Sequence, residues 1–139
     1  MRVDRKELQE LSKIRLKEAT ALLELGLSDG AYYLAGYAVE CALKACIAKA
    51  TQRGEFPDKK RVDSSYSHNL RELIKVAGLE EARAERAKQE LLFKANWEFV
   101  EGWSEQSRYQ RHSLESSAAL LRAIGQKRYG VISWIKLHW

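Results

Sequence analysis

From Ala31 to Ala48 the chain reads AYYLAGYAVECALKACIA, eighteen residues in which Glu40 and Lys44 are the only charges. A helix this apolar belongs in the interior of a protein. Its alanines at 31, 35, 38, 42 and 45 recur at i, i+4, i+7, i+11 and i+14, which aligns them on one stripe. Small side chains along a stripe let a neighbouring helix approach closely. Glu40 and Lys44 stand one turn apart with the glutamate first, the favoured order for a helical ion pair. Charges are rarely buried without a partner. The pair therefore sits either partly solvated at a helix edge or facing a polar cleft.

The rest of the chain supports helix throughout. A single proline in 139 residues rich in Ala, Leu, Glu, Lys and Arg predicts an all-α domain over 1–139, and no window alternates with the period of two that marks a half-buried strand. The opening MRVDRKELQE is charged and lacks the apolar run of a signal peptide. The Ala31 to Ala48 segment is short for a membrane span and is interrupted by Gly36, Glu40 and Lys44. A soluble, cytoplasmic protein with no membrane association is expected. Cys41 and Cys46 lie five residues apart on one helix, point in different directions and read as small buried hydrophobes. The three histidines are scattered, with neither CxxC nor HExxH, so neither a metal nor another cofactor is expected. A net charge of +5 permits phosphate binding, although the basic residues are only loosely clustered, at Lys59, Lys60 and Arg61 and again from Arg108 to Arg128.

Taken in order, the pattern predicts a first amphipathic helix over about Asp4 to Leu25, with Leu8, Leu11, Ala19, Leu22 and Leu25 inward and Gly26 closing it. Ser28 or Asp29 should cap the central helix, which ends near Gly54. GEFPDKKRVDSSYS, from Gly54 to Ser67, reads as a long loop. Ser67 should then cap a short helix closed by Gly78, and a further helix should run from Glu80 into Trp103 with a break near Asn96. A last helix from about Ser113 should turn Leu114, Ala118, Leu121 and Ile124 inward, with a bend at Gly130.

DGAYYLAGYAVECALKACIA, HNLRELIKVAGL, the spacing from Trp103 through Ser-Glu-Gln-Ser to Arg108-Tyr109, and the late GVISWI together resemble the HEPN family, a domain of higher eukaryotes and prokaryotes first proposed to bind nucleotides. The resemblance covers about Leu8 to Trp134. It implies an up-and-down bundle of four long helices with an additional short one, assembled as a homodimer. Many members are metal-independent ribonucleases of toxin or defence type, in which an Arg is followed after four to six residues by a His. Such a His can move a proton of the 2′-hydroxyl or leaving oxygen, and the Arg can stabilise the phosphate charge. At the matching place Arg108 and His112 are separated by three residues, one short of that pattern. The resemblance makes Arg108 and His112 the catalytic candidates, with Arg111 and Tyr109 beside them. Glu40, Lys44, His68, Lys59, Lys60 and Arg61 are candidates for RNA or nucleotide contact. Each has a plainer reading: Arg108 paired with a carboxylate such as Glu40, Tyr109 in the core, His112 at a helix start, His68 in a cap, and the loop cations solvated. Some HEPN proteins instead resemble the helical, antitoxin-like partner of a minimal nucleotidyltransferase, which gives a non-catalytic alternative. A plain dimerisation module is a third.

Overall fold

The computed structural model describes residues 3–51 and 59–139, with the side chains of 59–61 left out. All regular structure among the described residues is helical. The first helix, α1 (Arg5–Glu24), starts where the Asp4 carboxylate accepts the Glu7 backbone N–H at 2.9 Å. It stops at Gly26, whose φ of 78° takes the left-handed conformation that side chains resist. The second, α2 (Ser28–Ala50), returns antiparallel along α1. All five stripe alanines are fully buried, and on α1 the buried Ser12 hydroxyl donates to the Ala38 carbonyl at 2.8 Å. Ala19 is buried and Leu8, Leu11 and Leu22 are half-buried, whereas Leu25 is exposed because the chain has already begun to turn there.

Within the expected loop the chain forms α3 (Lys59–Ser65), a short helix that apolar periodicity could not announce. The expected loop between Gly54 and that helix lies outside the described residues. Next comes α4 (Leu70–Val76). Its cap is Asn69, which accepts the Glu72 N–H at 3.2 Å, while Ser67 lies upstream, accepting the Asn69 N–H and bonding the Glu72 carboxylate. The expected long helix divides into α5 (Glu80–Gln89) and α6 (Leu91–Val100). The break falls at Glu90, whose backbone is extended at φ −130° and ψ 101°, rather than at Asn96. Asn96 stays helical and donates to the Tyr129 carbonyl at 2.9 Å. A 3-10 helix (Glu105–Tyr109) follows, then α7 (Leu114–Gly125) and α8 (Val131–Ile135).

Ser113, at the start expected for the last helix, caps α7 by accepting the Ser116 N–H at 3.0 Å. Its buried face is Ser117, Leu120, Ala123 and Ile124, so of the expected inward set only Ile124 is fully buried and Leu114 is exposed. The register shifts because Ser117 is a core residue, its hydroxyl satisfied by the Ser28 carbonyl at 2.7 Å. The core gathers around α2, with Leu43, Leu73, Phe93, Trp97, Leu120 and Ile135 buried from five helices. Burying each such side chain stabilises the fold by roughly 1.5–3 kcal/mol.

Candidate functional site

Four residues of α2, Tyr33, Tyr37, Glu40 and Lys44, fall at i, i+4, i+7 and i+11 and form a polar stripe beside the alanine stripe. At its centre Glu40 is only 2% exposed, so its charge requires compensation. Lys44 supplies one partner, with Nζ 3.2 Å from Oε2. His68 supplies the other, its Nδ1 lying 3.1 Å from Oε1 and 3.0 Å from Oε2. A contact between residues 28 apart in sequence thus replaces the capping role expected for His68. The anchoring is firm because α4 seats Leu70, Leu73 and Ile74 in the core directly after the Ser67 and Asn69 turn.

On its far side His68 presents Nε2 to Glu105, 3.4 Å from Oε2. The two carboxylates differ: the Glu40 side chain is 3% exposed and that of Glu105 is 38% exposed. Glu105 lies on the 3-10 helix, where side chains three apart eclipse, so Arg108 shares its edge. The 3-10 helix is set in place by Trp103, whose buried indole stands against Gly36 of α2; a Cβ at Gly36 would overlap that ring. Tyr33 stacks on the same indole with ring centroids 5.9 Å apart.

Arg108 is exposed, its guanidinium 4.9 Å above the Tyr109 ring, and Tyr109 is itself 74% exposed. This corrects two expectations: Arg108 is not the partner of Glu40, and Tyr109 is not a core residue. Arg111 is also exposed. His112 has a different setting. Gln110 is extended, so no continuous helix joins Arg108 to His112. The His112 ring stacks flat on Tyr32, with centroids 3.6 Å apart and 4° between planes. Its backbone N–H donates to Asp29 at 2.6 Å, and its carbonyl accepts from Ser28 at 2.7 Å. The two residues expected to cap α2 therefore hold the segment before α7, and Leu27 occupies the cap position without a side-chain bond. Nε2 of His112 lies 3.2 Å from the Ser107 carbonyl, an acceptor only, so that nitrogen carries the proton and donates it. Lys59, Lys60 and Arg61 begin α3, and their side chains lie outside the described residues.

Next to Glu40 a cleft of about 620 Å³ opens between α1, α2 and α3, lined by Leu8, Leu11, Tyr37, Lys44, Val62 and Tyr66 among others. Cys41 borders it, and burial, reinforced by the Glu40 charge, pushes its thiol up to about 11. Burial pushes Cys46 up to about 12. Both cysteines are free, buried and protonated at neutral pH, which makes them poor nucleophiles. Among the described residues no group of three or more His, Cys, Asp or Glu side chains is placed to hold a metal ion, and no helix is long and apolar enough to cross a membrane.

Protein-family models, curated proteins and solved structures yield no match to the chain. The arrangement on α2, α4 and the 3-10 helix is therefore interpreted from its own chemistry. Glu105 is the member that sequence reasoning missed. Its signal was the three-residue spacing to Arg108, which has meaning only once that segment is known to be 3-10 helix.

Proposed function

We propose that this chain is an RNA- or nucleotide-binding protein of HEPN type that cleaves RNA without a metal ion, acting in the cytoplasm in a toxin or defence role. In this reading α1, α2, α5 with α6, and α7 are the long members of an up-and-down four-helix bundle, and two copies pair as a homodimer. The observation that carries it is the exposed Arg108 stacked on the exposed Tyr109, on a short helix seated against α2 beside His68. Guanidinium groups neutralise phosphates, and exposed aromatic rings next to cations accept unpaired bases whatever their sequence. Arg111 adds positive charge, and the net charge of +5 favours approach of a polyanion.

The deciding experiment incubates the purified protein with structured and single-stranded RNA in excess chelator, beside an Arg108→Ala variant matched for folding and oligomeric state. Cleavage by the wild-type chain that the variant loses supports the reading. Intact RNA, or equal cleavage by both proteins, overturns the catalytic part.

The setting of His112 favours a second reading, a non-catalytic helical partner of a minimal nucleotidyltransferase. A ring stacked on Tyr32 and bonded to the Ser107 carbonyl is held as a structural element. RNA left intact while labelled ATP or RNA still binds the protein would select that alternative.

A further inference from the structure

We propose that proton transfer during RNA cleavage is carried by Glu105 and His68, with Glu105 as general base, His68 as general acid, Glu40 positioning His68 and Arg108 holding the phosphate. The inference rests on the ribonuclease reading and assigns its chemistry to a pair the HEPN-like spacing of Arg108 and His112 does not include. His68 has one ring nitrogen on a buried carboxylate and the other directed to a partly exposed surface. A carboxylate on Nδ1 fixes ring orientation, and the Nε2–H of the imidazolium is then the proton donor. Glu105 is the more solvated: its Oε2 meets Nε2 of His68 in the free protein, and a phosphodiester entering between the two takes the place of that contact, with O2′ on Glu105 and O5′ on His68. Two titratable groups held in unlike surroundings divide naturally into acid and base. Arg108 lies three residues after Glu105 on the 3-10 helix, with its guanidinium over the Tyr109 ring, and a phosphodiester held there would have its repulsion from Glu105 offset.

The step balances without a further reactant. Glu105 takes the 2′-hydroxyl proton as O2′ bonds to phosphorus. The bond from phosphorus to O5′ breaks, and Nε2 of His68 gives its proton to O5′. The products are a 2′,3′-cyclic phosphate and a 5′-hydroxyl. Glu105 is then protonated and His68 neutral, and the proton returns directly across their contact of 3.4 Å. Among the described residues the charged groups around His68 are Glu40 and Lys44 from α2 and Glu105 from the 3-10 helix, while Glu72 of α4 is engaged by Ser67.

The test measures cleavage of a mixed-sequence RNA oligonucleotide in excess chelator by the full-length wild type and by His68→Gln, Glu105→Gln and Glu40→Gln, with folding checked by circular dichroism. Mass spectrometry identifies the product ends. His68→Gln and Glu105→Gln should each lower kcat by about 10²- to 10⁴-fold with KM little changed. The product should end in a cyclic phosphate, and Glu40→Gln, which removes the charge that orients His68, should lower kcat by less than His68→Gln does, with KM little changed. Wild-type cleavage unchanged by His68→Gln and Glu105→Gln would overturn this assignment and leave the ribonuclease reading standing. A wild type that cuts no RNA overturns both.

Discussion

Gly36 shows how one residue can decide whether the site exists. Its missing side chain makes the notch that receives the Trp103 indole, and Trp103 sits two residues before Glu105, the first residue of the 3-10 helix. In Gly36→Ala the new methyl would occupy the ring's position, so the indole must move and carry Glu105 and Arg108 with it. Overpacking of this kind costs about 1–3 kcal/mol. A lower urea midpoint, together with loss of any RNA cleavage or binding in protein that is still folded, is the expected outcome; retention of both would mean that Trp103 does not position the 3-10 helix. Ser12 offers a purely structural comparison, because its buried hydroxyl bonds the Ala38 carbonyl between α1 and α2. Ser12→Ala should lower stability by about 1 kcal/mol and leave RNA binding unchanged, as measured by urea denaturation and a titration with labelled RNA.

Elements with strong local signals stood out in the sequence, and those defined by distant partners did not. Gly26 and Gly78 both have positive φ and end α1 and α4 where a glycine C-cap predicts. The apolar run lies in α2, which has more buried residues than any other described helix. By contrast, α3 lies in KKRVDSS, whose charges and serines carry no helical period, and the fully buried face of α7 includes Ser117, which looks polar until the Ser28 carbonyl is seen to satisfy it. The site divides in the same way. That Glu40 and Lys44 pair was readable from their spacing, but His68 reaches Glu40 only through the tertiary packing of α4. At this scale the segment from Gln110 to Ser113 gives a direct test, since it is held by Ser28 and Asp29 and then by the Ser113 cap. Ser113→Ala should cost about 1 kcal/mol of stability by chemical denaturation, the usual value of an N-cap. A change well below that would mean that α7 starts on the strength of its packing alone.

Across the whole molecule, the burial that makes α2 a suitable core also makes the fold sensitive to alkali. Cys41 and Cys46 hold their protons in the folded chain up to about 11 and about 12, against an ordinary thiol value of 9.0. Raised values in the folded state mean that this stabilisation is complete below pH 9. Above it the unfolded chain sheds its protons first, and stability falls as the pH climbs toward the folded values. Each thiol contributes at most about 1.4 kcal/mol per pH unit over that window. Tyr32 and Tyr37, whose phenols burial also pushes up from 10.0, add to the loss at its upper end. Urea midpoints measured from pH 7 to pH 10.5 should therefore show no thiol-linked change up to about pH 8.5 and a decline beyond it. A Cys41→Ala, Cys46→Ala double variant, less stable at pH 7 because its core is smaller, should decline less steeply between pH 9 and pH 10. Equal slopes for the two proteins would show that the thiols ionise as readily in the folded chain as in the unfolded one. Iodoacetamide gives an independent reading of the same property: at pH 8 the native protein should stay unmodified, while the urea-unfolded chain should alkylate at both cysteines.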